Sequence, residues 1–315
     1  MTLHVALQMD DLGRINPATD STIRIGLEAQ ARGHTLWYYT PDKLFTRDGT
    51  VMAHASRLTL QDGTENFYSI EEPAARDIRD WDVIWLRQDP PFDLAYITST
   101  LMLSRAHTSG DVFVVNHPCS VRNLPEKWFP TELAQFMPPT LISADMHSIS
   151  DFIAQYGHVV VKPLYGHAGH GIFQLAADAP DKTARLAALF AKDRTPVVVQ
   201  KFLPEMKDGE RRVIMIDGKF AAIAGRIPAE GQIVAASRLG AQYVAAKATP
   251  RQMEICEAVG PLLKERGLIY TGLDIISDWL TEINITSPTS IPPINKLYGL
   301  KLEADIWDAV ESYLP

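Results

Sequence analysis

Residues 159–175 read VVVKPLYGHAGHGIFQL: a β-branched run ending in Lys162, a loop carrying Gly166, Gly169 and Gly171, and a second apolar run. The loop joins strand to strand, residues 159–162 to residues 172–175. That separates it from two familiar glycine loops. No Gly-Lys-Ser/Thr follows and no helix begins there, so it is no Walker A motif, and a dinucleotide fingerprint also needs a strand-to-helix turn. Glycines let backbone approach a ligand closely and turn N–H groups towards an anion. A glycine loop capping a hairpin therefore suits a flap folding over phosphates, with Lys162 entering on the preceding strand. The residues alone equally allow a plain tight connection. His167 and His170 lack the fixed face or additional Cys, His or Asp of a metal pair, and are expected to face solvent or nucleotide.

Around this loop, helix 148–156, helix 181–192 and strand 197–201 complete a small α+β block. Upstream, strand 4–8, helix 22–32 with Asp20–Ser21 as N-cap, strand 35–39, strand 83–86, helix 94–109 stopped by Gly110, and strand 112–116 alternate. Such alternation favours an α/β unit with a mostly parallel sheet covered on both faces. Residues 40–82 read as a glycine-punctuated loop region, and residues 120–139, with four prolines, as a linker holding a short helix. Downstream, a hairpin of strands 212–216 and 220–225 turns at Asp217-Gly218. A weakly patterned stretch, 228–248, suits a lid, and helix 250–266, strands 269–275 and 280–285, and helix 302–313 follow.

The last strand pair lies in GLDIISDWLTEINIT, residues 272–286. Glu282 and Asn284, two apart on a strand, leave the same face, and an antiparallel neighbour brings Asp274 alongside. Two carboxylates and an amide are oxygen donors suited to Mg²⁺ held together with substrate phosphates. Polar alternation on a solvated strand is the other reading; Leu273, Ile275, Ile276, Ile283 and Ile285 weaken it by marking a buried sheet, where unpaired acids are costly. Lys127, Lys162, Arg211, Arg212 and Arg226 are spaced so that they can converge. Arg212 and Arg226 lie in apolar hairpin strands, where a guanidinium makes sense facing a phosphate or carboxylate. RQDPPFD, residues 87–93, follows a strand end, where ligands collect in open parallel sheets; Arg87 there serves either as a carboxylate clamp or within a structural turn.

Composition bounds the rest. The 315 residues allow two or three domains, and 46% hydrophobic with 22% charged residues is ordinary for a globular protein. A net charge of −8 argues against extended nucleic acid or an anionic membrane as partner. No long apolar run, no basic leader and only two cysteines, Cys119 and Cys256, in no metal-ligand spacing point to a cytoplasmic chain.

RQDPPFD, the Glu126–Lys127 pair, VVKPLYGHAGHGIF, VVQKFLPE, KDGERRV, GRIPAEG and GLDIISDWLTEINITSPTS occur in order and together resemble the prokaryotic-type glutathione synthetase family, ATP-grasp carboxylate–amine ligases. The resemblance runs nearly end to end. It implies an ATP-grasp fold of mixed α/β and α+β character: an N-terminal pre-ATP-grasp parallel-sheet domain (1–121), a small lid subdomain (122–201) and a C-terminal sheet domain (202–315). The implied reaction joins γ-glutamylcysteine to glycine with ATP through an acyl phosphate, with Mg²⁺ as cofactor (Mn²⁺ as a substitute), in a homo-dimer or tetramer. Residue by residue, Lys127, Lys162 and the loop of Gly166, Gly169 and Gly171 would meet ATP phosphates; Gln200, Phe202 and Leu203 the adenine; and Glu210 the ribose. Arg212 and Arg226 would stabilise the transferred phosphoryl group or the acyl phosphate. Asp274, Glu282 and Asn284 would bind metal, and Arg87, Ser287, Pro288 and Thr289 the peptide substrate. Departures cluster: Ala168-Gly169 replaces paired glycines, Val234 and Ala236 stand where an arginine and an asparagine are expected, Ala241 replaces a glycine, and Ile291-Pro292-Pro293 replaces Ile-Arg-Glu. These leave open a ligase with another amine acceptor, or a non-catalytic nucleotide-binding relative.

Overall fold

A computed structural model describes residues 2–191, 194–232, 234–235 and 240–315. Its first sheet comprises β1 (His4–Met9), β2 (Thr35–Tyr39), β3 (Leu44–Arg47), β4 (Thr50–Leu60), β5 (Tyr68–Ile70), β6 (Ala74–Asp77), β7 (Val83–Arg87) and β8 (Phe113–Val115). Strands β2, β1, β7 and β8 are parallel neighbours, as the alternating pattern predicts. Helix α1 (Ser21–Ala31) is capped by Asp20, whose side chain accepts from Ile23 N, and α2 (Leu94–Ser109) by Asp93, accepting from Tyr96 N; α2 stops at Gly110 in the left-handed region.

Residues 40–82 are not a loop. They form β3 to β6, with the long β4 antiparallel to β2, so the sheet is parallel only over half its strands. The sequence carries the cause: buried Val51, Ala53, Ala55, Leu58 and Leu60 recur along β4, and Asp48-Gly49, both with positive φ, turns β3 into it. Helix α3 (Pro118–Asn123) and a 3₁₀ segment, Phe129–Phe136, occupy the stretch read as a linker. Val121, Phe129, Leu133 and Phe136 are buried, and that segment packs on the third sheet, so its prolines punctuate core structure.

The second sheet, in order β11-β10-β12-β9, is antiparallel throughout: β9 (Thr140–Ser143), β10 (His158–Pro163), β11 (Phe173–Ala176) and β12 (Val197–Lys201). Helices α4 (Met146–Tyr156) and α5 (Lys182–Phe190) cover one face; Lys192, the expected helix end, lies outside the described residues. Val159 and Val161 point into that separate core, each burial contributing about 1.5–3 kcal/mol, so Val160 and Lys162 alternate to the opposite face.

The third sheet, in order β15-β14-β13-β16-β17, is β13 (Glu210–Ile216), β14 (Lys219–Ile227), β15 (Gln242–Ala245), β16 (Tyr270–Ile276) and β17 (Trp279–Asn284), backed by α6 (Pro250–Glu265). Helices α7 (Ile291–Tyr298) and α8 (Leu302–Glu311) end the chain. The sequence pattern assigns no element to residues 287–301, where α7 lies; Pro292 and Pro293 sit in its first turn, where no intrahelical N–H is needed. The first and third sheets share two cores. One holds Ala6, Ile84, Val213 and Leu273, the other Val5, Trp85, Ile214 and Trp307. Asn116, just past β8, stitches them, donating to Tyr270 O and Ile285 O and accepting from Tyr270 N. Cys256 is buried and Cys119 half-buried, both free thiols.

Candidate active site

A cavity of about 330 Å³ opens between the second and third sheets. Each strand contributes by alternation. Val160 and Lys162 come from β10, Gln200 from β12, Arg212 from β13, Arg226 from β14, Asp274 from β16, and Glu282 and Asn284 from β17. Phe202, Leu203, Met206, Val160 and Ile276 make an apolar slot beside Gln200, whose amide donates to Thr140 Oγ1. Ala168 and Gly169 of the glycine loop, Glu210, Ser287, Pro288, Thr289, Asp89 and Glu126 complete the wall.

The polar centre is a buried charge network. Arg212 grips Asp274 with Nε and Nη2 at 2.7 and 3.0 Å, and Arg226 Nη2 lies 2.8 Å from the same carboxylate while also pairing with Glu210. Register explains this: Asp274 is directly opposite Arg212 on one side and Glu282 on the other, and Glu210 is opposite Arg226. Burial would raise Asp274, but the two guanidiniums outweigh it and hold its carboxyl below the usual range. Burial pushes Glu210 up to about 7 in spite of Arg226 beside it.

The proposed metal-ligand set stands together. Asn284 Nδ2 donates to Gly272 O and Asp274 Oδ2, leaving its amide oxygen uncommitted among the described residues. Glu282 offers one oxygen to Lys127 Nζ at 2.9 Å and keeps the other. Two open oxygens beside a buried aspartate suit a divalent cation completed by phosphate oxygens. No group of three or more His, Cys, Asp or Glu side chains forms a metal site among the described residues.

Not every expected residue reaches the cavity. Lys127 is buried behind it, bonded to Glu282 and to the carbonyl of Gly166. Arg87 is also buried. It donates to Pro288 O at 2.7 Å and Thr22 Oγ1 at 3.1 Å, so it shapes the 287–289 turn from beneath. Gly166 and Gly171 lie in the loop rather than on the wall; Gly171 is required by φ +71° and by Pro163, whose Cγ would stand 2.9 Å from an added Cβ. Tyr165 stacks on Phe92 with centroids 5.7 Å apart, fastening the loop to the connection that follows β7.

Of the departures, Val234 lines the cavity and Ala241 lies outside the positive-φ region, while Ala236 is outside the described residues. Ala168 is different: its φ of +49° is left-handed, a conformation costing an alanine about 1–2 kcal/mol. Ala168→Gly is therefore expected to relieve that strain and raise folding stability by up to about 1 kcal/mol in thermal melts; a lowered melting temperature would contradict strain at this position. Sequence reasoning assigned no role to Glu126. Its signal was a Glu-Lys pair beside buried aromatic positions, obscured by the prolines around it.

Two family models match: the prokaryotic glutathione synthetase N-terminal domain over residues 3–122 and its ATP-grasp domain over residues 126–299. The glutathione synthetase of Rhodopseudomonas palustris is 46% identical over 312 residues, covering 99% of both chains. That of Brucella melitensis is 44% identical over 312 residues, again 99% of both. Among solved structures, D-cycloserine synthetase DcsG superposes with a TM-score of 0.69 at 14% identity, covering 99% of this chain and 100% of that one. A RimK-domain ATP-grasp protein from Sphaerobacter thermophilus gives 0.64 at 18% identity, covering 97% and 98%. At these identities the structural likeness establishes the ATP-grasp fold.

Proposed function

The chain belongs to the prokaryotic glutathione synthetase family, and from that premise we propose that the cavity between the second and third sheets is where it joins γ-glutamylcysteine to glycine. As a family member it is an ATP-dependent ligase that makes glutathione. The observation that carries the site assignment is one cavity holding an apolar slot, a half-buried lysine with no partner among the described residues, and a doubly clamped aspartate.

Phosphoryl transfer needs positioning and charge neutralisation more than a nucleophilic side chain. The slot of Val160, Phe202, Leu203, Met206 and Ile276 takes the adenine ring, with Gln200 at its edge and Glu210 towards the ribose side. Lys162 and the loop of Gly166, Gly169 and Gly171 hold the phosphates, and Lys127 anchors that loop through Gly166. Asp274, Glu282 and Asn284 would hold Mg²⁺, with Mn²⁺ as a substitute; bound there, the cation supplies charge neutralisation to the phosphates. Arg212 and Arg226 face the oxygens that gain charge as the dipeptide carboxylate attacks the γ-phosphate and as the acyl phosphate collapses. Ser287, Pro288 and Thr289, supported by Arg87, position the dipeptide. The segment 122–201 carries the second sheet as the closing lid, between parts 1–121 and 202–315. No helix among the described residues is long and apolar enough to cross a membrane; a cytoplasmic location belongs to the same reading.

The test is ADP release from Mg-ATP and γ-glutamylcysteine with and without glycine. Glycine-dependent ADP with glutathione as product is expected, abolished by chelator and restored by Mg²⁺. ADP released only with another amine reassigns the acceptor, and tight ATP binding with no ADP from any amine overturns the catalytic reading.

A further inference from the structure

The acceptor amine arrives as an ammonium ion without a lone pair, so some group must take its proton before it can attack an acyl phosphate. Three carboxylates on the cavity wall are already bonded to cations: Asp274 to two guanidiniums, Glu210 to Arg226 and Glu282 to Lys127. Asp89 lies exposed at the rim. Glu126 differs from all of these. Its Oε1 accepts from the amides of Ile285 at 2.8 Å and Thr286 at 3.0 Å and from the Thr286 hydroxyl at 2.8 Å. Its Oε2 has no partner among the described residues, and the side chain forms part of the cavity wall beside the 287–289 turn. Three bonds on one oxygen fix the carboxylate and keep the other available, which is how a proton acceptor is preorganised.

We propose that Glu126 is the general base of the second half-reaction, Oε2 taking the proton from the acceptor ammonium. The inference rests on the ligase reading of the cavity. The freed nitrogen lone pair forms the C–N bond at the acyl carbon, the bond from that carbon to the phosphoryl-bearing oxygen breaks, and phosphate leaves with that electron pair, taking the second nitrogen proton as hydrogen phosphate. The proton passes from Glu126 to solvent as products depart. The titratable groups facing Glu126 are Glu282 from β17, Lys127 adjoining it and the Tyr96 hydroxyl from α2.

Glu126→Gln keeps an acceptor oxygen for the 285–286 clamp and removes the base. Two nucleophiles are compared with Mg-ATP and γ-glutamylcysteine: glycine, and hydroxylamine, which is neutral at pH 7 and traps the acyl phosphate as a hydroxamate without needing deprotonation. The expected result is a glycine rate lowered about 100-fold with hydroxamate formation near wild type. The glycine rate should climb with pH as free amine accumulates. Equal loss with both nucleophiles, or no loss with glycine, overturns the proposal. Should Glu126→Gln not fold, Glu126→Asp is read by the same ratio: retracting the carboxylate should lower glycine relative to hydroxylamine about tenfold, and an unchanged ratio overturns the proposal. A wild-type protein yielding neither product overturns the ligase reading, and this one with it.

Discussion

Asp274→Asn is expected to remove about 3–5 kcal/mol of folding stability and to leave no measurable glutathione synthesis. The size follows from what the carboxylate holds. It is nearly isosteric with an amide, so packing changes little, but Arg212 and Arg226 lose the anion that neutralises them inside the protein. One uncompensated guanidinium in a buried site is already costly, and here there are two. Activity falls separately, because Asp274 stands in the proposed metal set and aligns both arginines towards the phosphates. Adding Arg212→Met to Asp274→Asn should recover part of the melting temperature while recovering no turnover, which divides the two roles. The wild-type contribution also has a pH signature. The folded carboxyl is held below its unfolded value, so its stabilisation is present above the unfolded range and disappears as pH falls through the folded one. Acid melts of Asp274→Asn should lack that component. Unchanged melting in the single variant would sink the account of the network.

Lys162→Met is expected to weaken ATP binding about 100-fold while leaving the melting temperature unchanged or raised. Lys162 has no hydrogen bond or ion pair among the described residues, and burial lowers its ammonium despite the nearby charge of Glu282. A lysine whose folded value is depressed costs stability while it is charged, and that cost fades as pH rises through the folded value. Its removal therefore relieves the empty protein. Bound phosphate supplies the missing anion and restores the charged form, so ATP affinity should decline at a more acidic pH than a free lysine would require. Calorimetric titration across the alkaline range checks the shape, and a variant that melts much lower would refute the idea that Lys162 waits for its partner.

The fold was legible where period and punctuation agree. Asp20, Asp93 and Gly110 bound their helices as read, and Asp217-Gly218 turned its hairpin. The same Asp-Gly signal at 48–49 went unused, because the inward face of β4 is carried at its centre by the small residues Ala53 and Ala55, and the buried pair Ala55-Ser56 interrupts the alternation before Leu58 and Leu60. Helix α7 is short and carries two prolines in its first turn, so its eight residues show little helical period. Within the site, strand parity was enough to bring Glu282, Asn284 and Asp274 to one face, because side chains alternate whatever the tertiary setting. What parity could not show was competition. Asp274 is claimed by two arginines, Lys127 by Glu282, and Arg87 by the Pro288 carbonyl, and each pairing depends on chain segments far apart in sequence. Glu126 escaped for the same reason, since its partners lie about 160 residues downstream.

The two cores that run unbroken across the first and third sheets make the ends of this chain inseparable, whereas the second sheet closes on a core of its own. A cut near residue 122 would split both shared cores, so each half would expose apolar surface that the other now covers. The middle sheet is the one part that could be lifted out and exchanged between related ligases, carrying its nucleotide-facing residues with it. The exchangeable unit in this architecture is the insert of residues 140–201, and Glu126, which lies before it, stays with the frame that receives it.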